Sequence, residues 1–236
     1  MIEFKSVFIQ YVSEFYSLYD FSCEIKSHTL FVGDFFDGTN SIVRILSKID
    51  KDYKGEVFID NIDLKKIKDK DLDLAYLPEK PVLFKNIFKN LYFPLKIRKI
   101  NKKIAKNLIY CVFFELKNNN FNFFEKYLNI KNNKLNNNLN LKNKDFINLQ
   151  IENILKLKVK NLTLSEQKFI ALIRAVLRAP KYVLLENFFE DLDESHIPIV
   201  LHLIEELKQT STIIACEKEP KEVLKDFKVV KLSHPN

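Results

Sequence analysis

Apolar and polar residues alternate through IEFKSVFIQY, Ile2 to Tyr11, and the run is rich in β-branched and aromatic side chains, which predicts a strand. FSCEIKSHTLFVG, Phe21 to Gly33, holds two more short strand-like runs, so the chain starts as β. From Ser41 the apolar positions Ile42, Ile45 and Leu46 take helical spacing instead. In KGEVFIDNIDLKKI, Lys54 to Ile67, a turn at Gly55 leads into a strand with Val57 and Ile59 on one face and a second turn at Asp60 and Asn61. LAYLPEKPVLF, Leu74 to Phe84, reads as a short strand stopped by Pro78 and Pro81.

The pattern turns helical from Asn86 to Leu116, with an interruption expected near Pro94. Between Lys117 and Gln150, 13 of 34 residues are Asn and six are Lys against two acids, which marks a polar insertion rather than core. Phe121, Phe124, Tyr127 and Leu128 still fall at helical spacing, so part of the insertion is expected to pack as a helix and the rest to be looped or disordered. FIALIRAVLRAP, Phe169 to Pro180, is a helix with proline as its stop, and YVLLEN, Tyr182 to Asn187, is a buried-type strand. IPIVLHLIEELK is another helix, and STIIACE and FKVVKLS are closing strands. Alternating helices and strands of this kind imply an α/β fold, with a mostly parallel sheet covered by helices on both faces.

At 236 residues and 47% apolar, the chain can bury one substantial core with room for a subdomain. The net charge of +7 permits contact with nucleic acid or an anionic membrane. A lysine- and asparagine-rich, glycine-poor composition is a general bias, however, and nucleic acid is not the expected partner. Cys23, Cys111 and Cys216 are far apart and odd in number, which favours neither a disulfide framework nor a zinc site and fits a reducing, cytosolic compartment. No charged-then-apolar leader is expected, and apolar runs such as Ile109 to Phe114 fall far short of the ~20 residues of a membrane helix.

Two of the three glycines lie in FVGDFFDGTNSIVRILS, Phe31 to Ser47. Gly33 and Gly38 have the spacing of G-x-x-x-x-G-K-[ST], between a strand and a helix, where backbone can cradle phosphate. The lysine is missing: Thr39 and Asn40 stand where Lys and Ser/Thr are required. The competing reading is an ordinary strand-to-helix turn. Asp34, Asp37, Glu190 and Asp191 are acidic loop residues of the kind usually just solvated, and His28, His196, His202 and His234 have no metal-ligand spacing.

The order of these elements and several strings resemble the ATP-binding cassette of ABC transporters over essentially the whole chain. IEFKSVFIQY is similar to the opening of such cassettes, with Tyr11 where an aromatic stacks on adenine. GEVFIDNIDLKKI resembles the family's G-x-[IV]-x-[IV]-[DN]-G-x-[DN]-[IL] run, with Asn61 for glycine. YLPEKPVLFKNIFKNLYFPLKIR is similar to the glutamine-loop segment, and ALIRAVLRAPKYVLLENFFEDLDE to the helix, Walker B strand and D-loop that follow the signature motif. The resemblance implies a P-loop NTPase-like core with an antiparallel β subdomain and an inserted helical subdomain. It places the first part of the core at 1–84, the helical subdomain with its Asn/Lys-rich insertion at 85–168, and the rest of the core at 169–236.

It also implies ATP and Mg²⁺ as ligands, placed at Tyr11, Gly33, Asp37, Gly38, Thr39, Asn40, Ser41 and Glu79. At those places the residues depart from the family. Thr39 replaces the lysine that neutralises phosphate charge, Phe36 stands where glycine is common, and Ser41 is one place late for the metal ligand, which aligns with Asn40. Glu186 aligns with the metal-associated aspartate, Asn187 with the glutamate that polarises water, Glu79 with the glutamine and Glu217 with the switch histidine. Asparagine is no useful base near neutral pH, so general-base assistance of ~10²–10⁴-fold is lost. The LSGGQ signature aligns without gaps to Leu162, Thr163, Leu164, Ser165 and Glu166, or with a two-residue deletion to Leu164 to Gln167; both glycines are gone either way. The expectation is a degenerate subunit, weak or inactive in hydrolysis, lying on the cytoplasmic face of a membrane beside a multi-span subunit and a second cassette. The alternatives are an active ATPase with unusual catalytic residues and a soluble cassette-like interaction protein.

Overall fold

The computed structural model describes residues 1–12, 15–33, 37–118 and 143–232. Phe36, Asp34, His234 and the expected helix through Phe121, Phe124, Tyr127 and Leu128 lie outside the described residues. The chain divides into two compact units, Met1–Lys80 with Ala179–Glu190 and Glu205–Asn236, and Pro81–Arg178 with Asp191–Ile204.

The first unit holds both sheets. β1 (Ile2–Val12) and β2 (Phe15–Ile25) form a long antiparallel hairpin, and β4 (Lys54–Ile59) and β5 (Ile62–Asp63) extend it to the order β2-β1-β4-β5. The alternation of β1 puts Ile2 and Phe4 inward, with Val7 and Ile9 following after a register shift. Asp60 and Asn61, both at positive φ, make the tight turn between β4 and β5 that a two-residue hairpin requires. The second sheet is parallel throughout, in the order β6 (Leu74–Leu77), β7 (Tyr182–Glu186), β8 (Thr212–Glu217), β3 (Thr29–Val32), β9 (Lys228–Lys231). The near-continuous apolar runs of β3, β7 and β8 are those of buried parallel strands. Helix α1 (Thr39–Leu46) follows β3, and Ile42, Ile45 and Leu46 join a core with Phe4, Phe31, Leu184 and Ile214.

The second unit is helical. It contains α2 (Ile87–Ile97), α3 (Lys102–Asn118), α4 (Asn143–Leu155) and α5 (Leu164–Arg178). Helix α6 (Ile197–Lys208) begins within it. The Asn86 side chain caps α2 by accepting from the Lys89 amide at 3.0 Å. The expected interruption at Pro94 is displaced: α2 runs through the proline, and the break falls at 98–101, where Lys99 has a positive φ. The buried stripe of Ile87, Leu91, Pro94 and Leu95 carries the helix past the one lost donor. α4 is a helix where the composition pointed to insertion, and Ile151, Ile154 and Leu155 are buried. Among the described residues no helix is long and apolar enough to cross a membrane.

Candidate functional site

The backbone is tightly constrained where it enters α1. Gly38 has φ +85° and caps α1, and its carbonyl accepts the Ile42 amide at 3.2 Å. A Cβ there would stand 2.2 Å from the Ser17 carbonyl oxygen and 2.4 Å from Leu18 Cδ2, so only glycine fits. Thr39 is buried, and its hydroxyl donates across the loop to the Gly33 carbonyl at 3.4 Å. The Gly33 amide donates to the Glu217 backbone carbonyl at 3.3 Å, continuing the ladder past Val32. The Asp37 side chain folds over Gly33, its Oδ2 3.2 Å from where a Cβ would be. Asn40 is half-buried at the start of α1.

Ser41 is buried and its hydroxyl is enclosed by other hydroxyls, 2.6 Å from Ser17 Oγ and 3.1 Å from Tyr11 Oη. The Tyr11 phenol also donates to Asp50, whose carboxylate takes two hydrogen bonds from Arg44, at 2.8 and 2.9 Å. Burial alone would raise the Asp50 carboxyl, but the bonds from Arg44 and Tyr11 outweigh it and hold it below the usual range. Arg44, a cation near the loop in sequence, is thus committed to Asp50. Tyr11 remains half-exposed with its hydroxyl anchored to α1.

The parallel register brings the ends of β7 and β8 together, Glu186 opposite Cys216, with Glu217 next along β8 opposite Val32 of β3. Glu186 accepts from the Tyr76 phenol on β6, and burial together with that bond raises the phenol. Asn187 is buried in the left-handed region that asparagine tolerates, φ +42°, and its amide donates to the Cys216 carbonyl at 2.8 Å. Glu217 has no solvent exposure. Its Oε1 accepts from the Phe188 amide at 2.7 Å and the Phe189 amide at 3.3 Å, while Oε2 has no hydrogen-bond partner among the described residues. Burial pushes this carboxyl up to about 7, against the pull of the two amides and Lys221. Glu190 adds to the rise and is itself paired with Lys218 at 3.0 Å. Glu79 lies half-buried two residues beyond β6.

The residues of the signature alignment form the start of α5. The Thr163 amide donates to Glu166 at 2.7 Å and the Glu166 amide to the Thr163 hydroxyl at 3.2 Å, a reciprocal capping box. Ser165 is buried, 2.5 Å from His196 Nδ1, and accepts from the Asp193 amide at 3.2 Å. T-x-x-E before an apolar run signals such a cap in any sequence. Ser17 and Tyr76, by contrast, reach Ser41 and Glu186 only through strand pairing, which no local pattern reveals. His28 accepts from the Ile213 amide at 3.1 Å.

A parallel five-stranded sheet, an antiparallel sheet beside it and a glycine turn feeding a helix define a P-loop NTPase-type α/β cassette. No protein-family model matches the chain. It is 25% identical over 176 residues to the molybdate/tungstate import ATP-binding protein WtpC of Thermococcus kodakarensis, a match that takes in 73% of this chain. The chain spans 43% of that relative's length. A bacterial Atm1-family ABC exporter with ATP bound superposes with a TM-score of 0.73 at 17% identity, over 98% of this chain and 36% of that one. A dimeric ATP-binding cassette in a post-hydrolysis state, bound to ADP and phosphate, superposes with a TM-score of 0.64 at 16% identity, over 99% and 94%. The chain has the fold of the ATP-binding cassettes of ABC transporters, as the order of its motifs implied.

Proposed function

We propose that this chain serves as a cassette subunit of an ABC transporter that retains the fold and its partner-facing segment but binds ATP weakly and hydrolyses it little or not at all. The observation that carries the reading is Glu217, a buried carboxyl at the place of the switch histidine, with one oxygen that has no partner among the described residues. A triphosphate arriving beside it would add negative charge to a site that already holds Asp37 against Gly33 and Glu186 at the end of β7. Thr39 supplies a neutral hydroxyl where a lysine would offset that charge. Ser41, the nearest other hydroxyl on α1, is enclosed by Ser17 and Tyr11. This donor set does not fit a magnesium nucleotide. The start of α5 points the same way: the Thr163 hydroxyl caps the Glu166 amide, the Glu166 carboxylate takes the Thr163 amide, and that carboxylate opposes the anion that an open helix N-terminus would attract.

Phosphate release from ATP by the purified chain tests the reading. The expected rate is indistinguishable from the protein-free blank, and steady turnover that is lost on changing Glu186 would overturn it. Partnership with a multi-span membrane subunit and a second cassette, on the cytoplasmic face, follows from the family reading. Within the segment from Pro78 to Arg98, Val82 and Phe84 are exposed, as a docking surface requires. Phe84→Asp should release a multi-span protein captured with the wild type from native membranes, without lowering the melting temperature. Capture that survives the change places the contact elsewhere.

A further inference from the structure

Residues 81–114 contain eight Lys or Arg and no Asp or Glu, so this stretch alone exceeds the net charge of +7 and the remainder of the chain is close to neutral. All eight cations are exposed. Lys106 pairs with Glu152 at 2.9 Å, and Arg98 donates to the Arg178 carbonyl at 3.4 Å. The other six make no ion pair among the described residues. They concentrate where α2 turns into α3: Lys96, Arg98, Lys99, Lys102 and Lys103 fall within eight positions.

Four of the apolar residues among them, Phe93, Ile97, Ile104 and Leu108, do not turn inward. The outward face of α2 presents Lys89, Phe93, Lys96 and Ile97, with Phe93 49% and Ile97 66% exposed. Across the turn, Ile104 is 55% and Leu108 40% exposed on α3, one helical turn apart, while Ala105 and Ile109 face the core. A helix of a water-facing subdomain keeps its outer face polar. Large apolar side chains interleaved with flexible cations are instead the composition of a helix that lies in a bilayer interface, where lysine stems bury and their heads stay with the headgroups.

We propose that the outer face of α2, the turn at 98–101 and the first turns of α3 bind an anionic lipid surface, with the cations on the headgroups and Ile97 and Ile104 entering the acyl boundary. Charge complementarity selects the anionic leaflet, and the two isoleucines select lipid over nucleic acid, which would use the cations but not the exposed aliphatics. Bases would also need free aromatic platforms. Phe88 and Tyr92 instead stack on each other, with ring centroids 5.6 Å apart, and the exposed Phe93 is engaged edge-to-face with Phe84 at 5.7 Å. The contact stands whether or not the chain binds nucleotide.

Flotation of the full chain with vesicles tests it, using phosphatidylcholine alone and phosphatidylcholine mixed with phosphatidylserine. Binding is expected only to the mixed vesicles and should fall steeply as salt rises to about 0.5 M, where exposed charges are screened within a few ångström. Each cation near an anionic surface multiplies binding about fivefold, so changing Lys96, Arg98, Lys99, Lys102 and Lys103 to Gln should lower it at least about a hundredfold. Changing Lys51, Lys54, Lys70, Lys225 and Lys228, exposed lysines of the first unit, should lower it far less. Ile97→Ser with Ile104→Ser should remove the binding that survives high salt. Equal binding to neutral vesicles, no binding to mixed vesicles, or equal losses from the two five-residue changes would overturn the proposal. So would tight binding of a single-stranded oligonucleotide through these residues without vesicle binding.

Discussion

At the ends of β7 and β8 the ionisable groups are carboxyls drawn into the protein, Glu186 against a phenol and Glu217 without solvent contact, whereas from Lys85 to Lys106, along α2 and the start of α3, every Lys and Arg stands in water. The two regions show why a net charge of +7 says little about the candidate site. The positive charge is concentrated in one helical stretch, and the phosphate-loop end of the first unit is acidic by comparison. They also differ in what their charges do to the fold. A buried carboxyl with one oxygen unpartnered makes stability depend on pH, while exposed, unpaired lysines leave stability nearly untouched and act on whatever approaches from outside.

The sharpest break of this contrast is expected at Gly38. Gly38→Ala adds a Cβ 2.2 Å from the Ser17 carbonyl oxygen at a φ of +85°. Strain and overpacking together should cost at least about 3 kcal/mol in urea denaturation. A loss below 1 kcal/mol would mean that the β1–β2 hairpin yields easily to the loop.

Glu217→Gln comes next and has a sign as well as a size. Its carboxyl titrates at about 7 folded against 4.5 unfolded, so between those values the folded chain holds the extra proton. The associated stability is fully present below 4.5 and is lost as pH rises through 7, to a total of about 3 kcal/mol. The Gln variant should therefore gain on the wild type as pH is raised from 5 to 8. Parallel stability curves for the two proteins would show that Glu217 is not held as described.

In the second unit, Thr163→Ala should cost about 1 kcal/mol by opening the capping box of α5. An unchanged midpoint would mean that water satisfies those amides equally well. The smallest effect belongs to the cationic face, where changing Lys96, Arg98, Lys99, Lys102 and Lys103 to Gln should move stability by less than about 0.5 kcal/mol.

Much of the fold was legible because its signals are local. IPIVLHLIEELK reads as a helix and is α6 to the residue, and STIIACE and YVLLEN differ from β8 and β7 by a residue. The first half of β2, FYSLYD, lacks clean alternation and owes its strand to pairing, Gln10 with Tyr16 and Ile9 with Leu18. At α2 the sequence points to Pro94 as the break, yet the buried stripe on either side carries more weight than one missing donor. The asparagine-rich composition hid α4 in the same way, although Ile151, Ile154 and Leu155 pack inward. At the site, the glycine turn was visible in the spacing of Gly33 and Gly38. The partners of Ser41, Glu186 and Glu217 were not, because Ser17, Tyr76 and the Phe188 and Phe189 amides arrive through tertiary pairing.

Equilibrium titration of the purified chain with a fluorescent ATP analogue at physiological Mg²⁺ tests the central claim most directly. An acidic phosphate-loop end with Thr39 in place of lysine predicts no saturation in the micromolar range, with whatever binding remains weakened further by Tyr11→Ala. Saturable sub-micromolar binding accompanied by steady turnover would contradict the account.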